Sequence, residues 1–250
     1  MKHALDITKV LVDAKTILQT KWRVLIPLVF FSSLFSIVAA FGIDAQGPLG
    51  INIGPAFLTP VYYVFGSLAY LLLTVLISIG LMHVFIQTAE GKKVERGDLI
   101  DGFTFNKFFS FIGAYVLYTV VVLIGLVLFI VPGVYAAVAL LPIFYTIVDK
   151  GLNPVQALRE AYVLTKGSWW NIMGLIVTTG IISLVITFVV LSVFAFLAWI
   201  AFTTSVSVLT ALVVLIAVPS LILLTLGIQT YIGLVYALMY KELRDGKKGK

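Results

Sequence analysis

Residues 125–170 read GLVLFIVPGVYAAVALLPIFYTIVDKGLNPVQALREAYVLTKGSWW, and this stretch decides the fold class. The apolar run 111–131 carries no charge and makes about 32 Å of helix, enough to cross a bilayer core of about 30 Å. Pro132 and Gly133 then predict a tight turn, because proline lacks an amide proton and glycine accepts left-handed dihedral angles. The apolar run 134–148 follows at once. We favour two full crossings, because charged residues flank both runs on one side, and a re-entrant hairpin is the alternative.

A short helix is predicted next, over residues 153–166. Asn153, Pro154 and Gln156 form the pattern of a capped helix start, and Gly167 is a suitable stop. Apolar and polar residues recur at helical spacing between these two ends. We expect this amphipathic helix to lie in the membrane interface, held there by the aromatic residues that follow it. Packing on its own protein alone is the alternative.

The residues quoted so far resemble a signature of a broad prokaryotic membrane family. The matching residues are Ile130-Val131-Pro132-Gly133-Val134-Tyr135, Val148-Asp149-Lys150-Gly151-Leu152, Ala157-Leu158-Arg159-Glu160 and Leu164-Thr165-Lys166-Gly167. The best-named branch of that family is the membrane domain attached to some glycerophosphoryl diester phosphodiesterases, and many relatives stand alone with no known function. The resemblance implies a multi-span α-helical domain and no reaction, because the phosphodiesterase chemistry belongs to a separate catalytic domain.

Composition places the whole chain in lipid. Hydrophobic residues make up 61% of the 250 residues and charged residues only 11%, whereas a soluble domain carries about 25% charged residues. There is no cysteine, which excludes disulfides and thiolate metal sites. We therefore predict a single all-α integral membrane domain over residues 1–250.

Six membrane spans follow from the apolar runs. They cover residues 24–42, 57–88, 111–131, 134–148, 169–201 and 208–240, arranged as three hairpins with interfacial amphipathic helices between them. All 17 lysine and arginine residues then fall on one side, within residues 2–23, 92–107, 150–166 and 241–250. Because basic residues are retained on the cytoplasmic side, the sequence predicts an inner-membrane protein with both termini in the cytoplasm.

Polar residues within the apolar runs are few. No acidic or basic residue lies well inside a predicted span, which argues against proton relays and membrane-embedded acid catalysis. We expect His83 to make a hydrogen bond between helices near Gln87, and Asp149 to pair with Arg159 or Lys166. No cluster of metal ligands, nucleotide-binding loop or nucleic-acid motif is present in the sequence, so we expect no enzyme, no cofactor and no nucleic-acid partner.

Basic and aromatic residues meet at the ends of the predicted spans. The candidate lipid-contacting residues are Lys21, Trp22, Lys107, Phe108, Phe109, Arg159, Lys166, Trp169 and Trp170. Such residues bind headgroups and sit at headgroup depth, and they attract anionic phospholipids. The sequence therefore predicts a non-catalytic membrane module that binds lipid or a protein partner at the cytoplasmic leaflet. A transporter or channel for a small or amphipathic substrate is the alternative.

Overall fold

The computed structural model of the chain describes residues 5–43, 59–95, 97–203 and 207–248. These residues form nine helices and no β-strand. The helices are α1 (Ile7–Ile43), α2 (Thr59–Ala89), α3 (Asp98–Asp101), α4 (Phe105–Leu128), α5 (Ile130–Ala139), α6 (Ile143–Lys150), α7 (Pro154–Thr165), α8 (Trp169–Thr203) and α9 (Ser207–Lys248). The all-α prediction is confirmed for this part of the chain.

Five helical segments among the described residues are long and apolar enough to cross a membrane. They are Leu71–Ala89, Phe105–Leu128, Ile130–Lys150, Trp169–Leu197 and Leu215–Lys247. The chain thus has the helices of a membrane protein. The first predicted span, 24–42, lies within α1, which begins at Ile7, carries Pro27 inside it and is not among these five segments.

The main core lies where α1, α2 and α9 meet, with α6 and the start of α8 against it. Its fully buried side chains include Leu25, Ile79, Val84, Ile172, Leu175, Leu234, Val235, Met239 and Tyr240. A smaller second core joins α4, α6 and α7 through Ala114, Ile143, Ile147, Ala157 and Ala161. Three of these five residues are alanines, so α7 approaches its neighbours closely.

The turn between α4 and α5 lies earlier than the sequence predicted. α4 ends at Leu128, Phe129 is extended with φ −162° and ψ 150°, and α5 begins at Ile130. The predicted turn at Pro132 and Gly133 is therefore wrong, because both residues lie inside the first turns of α5. A helix accepts proline in its first turn, since the amide protons there have no partner within the helix.

Gly133 serves close packing instead of a turn. A Cβ atom added to Gly125 would lie 2.8 Å from the Gly133 Cα atom, and one added to Gly133 would lie 2.7 Å from the Leu126 backbone nitrogen. Only glycine lets the backbones of α4 and α5 come this close, as in small-residue contacts between membrane helices.

The break between α5 and α6 results from Pro142. Proline cannot donate to the carbonyl one turn earlier, and Ile143 N donates to Leu140 O at 3.0 Å instead of reaching back to Ala139. The Thr165 hydroxyl, from the end of α7, donates to Ala139 O at 2.9 Å. The carbonyl that the break frees is thereby satisfied by a side chain of another helix.

The predicted start and stop of α7 are confirmed. Asn153 and Gln156 form a capping box, in which Asn153 N donates to Gln156 Oε1 at 3.4 Å, and Pro154 is the first helical residue. The helix ends at Thr165, and Gly167 follows with φ 91°. This left-handed conformation is the one that favours glycine after a helix end.

Candidate functional site at the charged ends of the helices

One arginine joins the ends of three helices. Arg244 of α9 donates from Nη2 to Glu90 Oε1 at 2.7 Å and from Nη1 to Asp149 Oδ2 at 3.0 Å. Tyr240 Oη donates to the same Asp149 oxygen at 2.8 Å, and Lys92 Nζ lies 2.7 Å from Glu90 Oε2. The exposed fractions of the Arg244, Glu90 and Asp149 side chains are 13%, 19% and 20%. We call these five residues the Arg244 cluster.

Two lysines at the same end of the molecule donate hydrogen bonds to backbone carbonyls. Lys241 Nζ donates to Ala89 O at 2.7 Å, and Lys21 Nζ donates to Lys92 O at 2.8 Å. The last carbonyls of a helix have no amide partner within it, so a lysine near them satisfies a hydrogen bond and balances the negative end of the helix dipole. Lys21 of α1 and Lys241 of α9 therefore both bond to the backbone at or just after the end of α2.

The charges lower the pKa of both well-paired glutamates. The hydrogen bond from Lys92 is the main reason that the pKa of Glu90 falls below its usual value, and Arg244 adds to the effect while partial burial opposes it. On α7, the pKa of Glu160 is lowered in the same way by Lys150, whose Nζ lies 2.9 Å from Glu160 Oε1.

The partner of Asp149 differs from the predicted one. The sequence suggested Arg159 or Lys166, which lie near Asp149 along the chain, whereas the structure pairs it with Arg244, 95 positions away. Arg159 and Lys166 are both exposed. A signal for the real partner existed, because Glu90 and Asp149 each follow an apolar run and each needs a nearby cation.

His83 and Gln87 bond within one helix. The Gln87 side-chain amide and His83 Nε2 lie 2.8 Å apart, one turn from each other in α2. This bond runs along α2, and the bond between helices that the sequence predicts for His83 stays a prediction. Gly102 packs against the histidine, since an added Cβ atom would lie 2.7 Å from the His83 Cβ atom. The pair therefore sits where the loop before α4 contacts α2.

Five of the nine candidate lipid-contacting residues have exposed side chains: Trp22, Phe109, Arg159, Lys166 and Trp170. The other four are buried or partly buried and make contacts within the protein. Phe108 is buried in the main core, so its predicted headgroup contact is wrong. Lys21 donates to a backbone carbonyl, as described above, and Lys107 Nζ lies 3.5 Å from Gly102 O. The fourth residue, Trp169, packs on α5.

Trp169 links the start of α8 to α5. Its ring stacks on Tyr135 with 5.4 Å between centroids, and its Nε1 donates to Tyr135 O at 3.1 Å. It also makes a T-shaped contact with Trp170, with 4.8 Å between ring centroids, and Trp170 is 79% exposed. A single indole therefore fixes where α8 leaves the α4–α5 pair.

The outward face of α7 combines basic and apolar side chains. Val155, Arg159, Tyr162 and Lys166 follow at intervals of four, three and four residues, which places them on one side of the helix, and all four are exposed. The opposite side buries Ala157, Ala161 and Leu164. Neither Arg159 nor Lys166 has an acidic partner among the described residues. We call these four residues the α7 outward face.

A groove with one cation lies between α1 and the segment before α4. Its volume is about 610 Å³, and its lining consists of Arg23, Val24, Pro27, Leu28, Phe31, Val94, Glu95 and Leu99. The Arg23 guanidinium lies over the Trp22 ring, 5.6 Å from its centroid. The groove therefore carries one cation and one carboxylate on otherwise apolar walls.

No group of three or more histidine, aspartate or glutamate side chains among the described residues could hold a metal ion. Along its length the chain matches no protein-family model, no curated protein and no solved structure.

Proposed function

We propose that this protein is a non-catalytic integral membrane module that binds anionic phospholipid in the cytoplasmic leaflet. The observation that carries the proposal is the α7 outward face. Arg159 and Lys166 are exposed and have no acidic partners among the described residues, and they alternate with Val155 and Tyr162 along this face. A basic residue near an anionic leaflet gains about 1 kcal/mol, and tyrosine is stable at headgroup depth.

The orientation that we propose follows from the basic residues. With all 17 lysines and arginines on one side, the protein has both termini in the cytoplasm and lies in the inner membrane. The Arg244 cluster and Lys241 support this arrangement, because they gather the ends of α2, α6 and α9 at one level. Because both termini lie on the same side in this orientation, the number of crossings must be even, and six spans in three hairpins would meet this condition.

The contacts near the α4–α5 tip, residues 127–131, favour four crossings instead. Trp169 begins the long apolar helix α8 shortly after α7 and Lys166, so we place this tryptophan at the cytoplasmic interface. It contacts Tyr135, and Phe129 at the tip is only six residues from that tyrosine, about 9 Å of helix. The opposite face of the bilayer is about 30 Å away. We propose that α4 and α5 form a re-entrant hairpin, and that α1, α2, α8 and α9 cross.

The chemistry of the tip supports a location in lipid. The five residues 127–131 are all apolar, and their side chains are between 63% and 85% exposed. Exposure of this apolar surface to water would be unfavourable, whereas contact with the hydrocarbon of the cytoplasmic leaflet is favourable. A hairpin inserted into one leaflet occupies area in that leaflet alone, which is consistent with a module that shapes the surrounding bilayer.

The lipid proposal is tested by native mass spectrometry of protein extracted from mixed lipid. We expect anionic phospholipid to be retained over zwitterionic phospholipid. The double variant Arg159→Gln, Lys166→Gln should lower that enrichment about thirtyfold, from two headgroup interactions of about 1 kcal/mol each. Lys21 and Lys107, which bond to backbone carbonyls, are left unchanged.

The matched control is Lys150→Gln, Lys247→Gln, which removes the same charge from lysines that contact Glu160 at 2.9 and 3.3 Å. This variant should keep most of the enrichment. Equal losses in the two double variants would show that only net charge matters. Equal retention of both lipid classes by the unmodified protein would end the lipid proposal in favour of a protein partner or a transported solute.

A further inference from the structure

A second groove lies between α1, α2 and α9 and belongs to neither the Arg244 cluster nor the α7 outward face. Its volume is about 730 Å³. It is lined by Phe30, Ser32, Ser33, Thr74, Ile77, Ser78, Leu81, Leu221, Ile222, Thr225, Leu226 and Gln229. Half of these side chains are polar and none is charged. We call this the midplane groove, for the reason given next.

In the orientation proposed above, on which this inference rests, the groove lies about halfway through the bilayer. Gln229 is twelve residues before Lys241, about 18 Å of helix, and Ser33 is ten residues after Arg23, about 15 Å. Three helices that carry charge at one end therefore bring polar side chains together at a depth of about half the 30 Å hydrocarbon core. Polar groups at this depth are costly unless they have partners.

Gln229 is the polar centre of the groove. The Ser33 hydroxyl donates to Gln229 Oε1 at 3.0 Å, which joins α1 to α9. The amide nitrogen of Gln229 has no partner among the described residues, and the side chain is exposed to the groove. Two donor protons are thus available there to an acceptor from outside the protein.

Nearby hydroxyl groups already donate a hydrogen bond, but their oxygen atoms can still accept one. Ser78 donates to Thr74 O at 2.7 Å, and Thr225 donates to Leu221 O at 2.8 Å, each within its own helix. A hydroxyl that donates in this way can still accept a hydrogen bond. The groove therefore offers donors from one amide and acceptors from serine and threonine oxygens, on apolar walls.

We propose that the midplane groove binds an uncharged glyceride lipid, with its ester carbonyl oxygen accepting from Gln229 and its free hydroxyl donating to Thr225 or Ser78. A charged headgroup does not suit a site at this depth without a counter-charge. A diacylglycerol brings both an acceptor and a donor on apolar chains, and the open side of the groove lets the chains extend into the bilayer. This site is independent of the anionic-lipid surface that we propose on α7.

Photolabelling in lipid vesicles tests the proposal. The full-length protein is reconstituted with trace diacylglycerol that carries a diazirine near its glycerol, or with phosphatidylglycerol that carries the same chains and diazirine. We expect the diacylglycerol probe to label peptides of α1, α2 or α9 that line the groove. Gln229→Leu should lower that labelling about fivefold to tenfold, because the carbonyl loses its hydrogen-bond donors.

The matched control is Gln19→Leu, an exposed glutamine of α1 outside the groove, which should label like the unmodified protein. Equal labelling of the groove by phosphatidylglycerol would overturn the uncharged class, and no change in Gln229→Leu would overturn the role of the amide. The chain has no cysteine, so in the Thr225→Cys variant a disulfide can form only between two copies that meet at the groove. A disulfide dimer that blocks diacylglycerol labelling would show that the groove is an interface between two copies and not a lipid site.

Discussion

Arg244 shows how the charged residues act one side chain at a time. Two carboxylates from different helices share its guanidinium, and all three side chains are at most one fifth exposed. Removing one member of a largely buried ion pair leaves the other charges without compensation, and that loss is larger than the net stabilisation of an intact pair. Arg244 therefore stabilises the protein mainly by compensating the charges of Glu90 and Asp149.

We predict that Arg244→Gln destabilises the protein by about 2–3 kcal/mol, since it leaves Glu90 and Asp149 without their shared cation. Arg159→Gln, the same change at an exposed residue, should alter stability by no more than about 0.5 kcal/mol. Thermal unfolding of both variants in detergent measures the difference. Equal melting temperatures for the two variants would mean that the Arg244 cluster is not structurally important.

At the scale of single elements, small residues decide how the helices meet. Gly125 and Gly133 bring α4 and α5 together, and the alanines of α7 let it lie close to α4 and α6. Pro142 breaks the helix between α5 and α6, and a threonine from α7 repairs the lost hydrogen bond. Each of these elements is helical by local preference, but its position depends on what a neighbour allows.

We predict that Gly125→Ala destabilises the α4–α5 contact by about 1–3 kcal/mol, because the new methyl group would meet the Gly133 backbone, which cannot move aside as a flexible side chain would. Gly180→Ala on α8 is the control, since an added Cβ atom there meets nothing within 4 Å. That change should be neutral or slightly stabilising, because alanine favours helix over glycine. Melting curves in detergent compare them, and a Gly125→Ala protein as stable as Gly180→Ala would contradict the contact.

For the whole molecule, the central question is which helices cross the bilayer. Length and composition allow α4 and the α5–α6 segment to cross. Two full crossings and a re-entrant hairpin both keep the basic residues on one side of the membrane, so the charges do not distinguish them. The re-entrant hairpin that we propose rests on a tertiary contact, because Trp169 meets Tyr135 close to the tip. With Trp169 at the cytoplasmic interface, as we propose, a tip about 9 Å from Tyr135 would end well short of the other side of a core of about 30 Å.

We predict that a cysteine placed at Phe129 is not labelled by an impermeant maleimide from the external side, whereas one at Thr204 is labelled. Gln46 should behave like Thr204, and Lys93 and Lys247 should be labelled only after permeabilisation; Gln46 and Thr204 lie outside the described residues. A spin-labelled lipid with its label midway along the chain should quench a fluorophore at Phe129. External labelling at Phe129 would restore six crossings.

The interactions that act over a few residues could be predicted from the sequence. Apolar runs of about 20 residues, a capping box and a glycine stop each depend on neighbours within one or two helical turns, and α7, α8 and α9 begin within a residue of their predicted starts. The turn at Phe129 was missed for a related reason. A Pro-Gly pair favours a turn locally, but the same residues also suit a helix start and a close contact.

Pairings between distant parts of the chain were decided by the tertiary structure alone. Which cation neutralises Asp149, which lysines bond to carbonyls and which remain exposed all depend on how the helices pack. A sequence states that Lys21 and Lys166 both border apolar runs, but not that the first reaches Lys92 O while the second meets no acid. Charge and hydrophobicity determine that this chain enters a membrane, because the partition of each segment depends on its own composition. Contacts determine which of its groups remain available to lipid, because a hydrogen bond requires two groups to meet within about 3 Å.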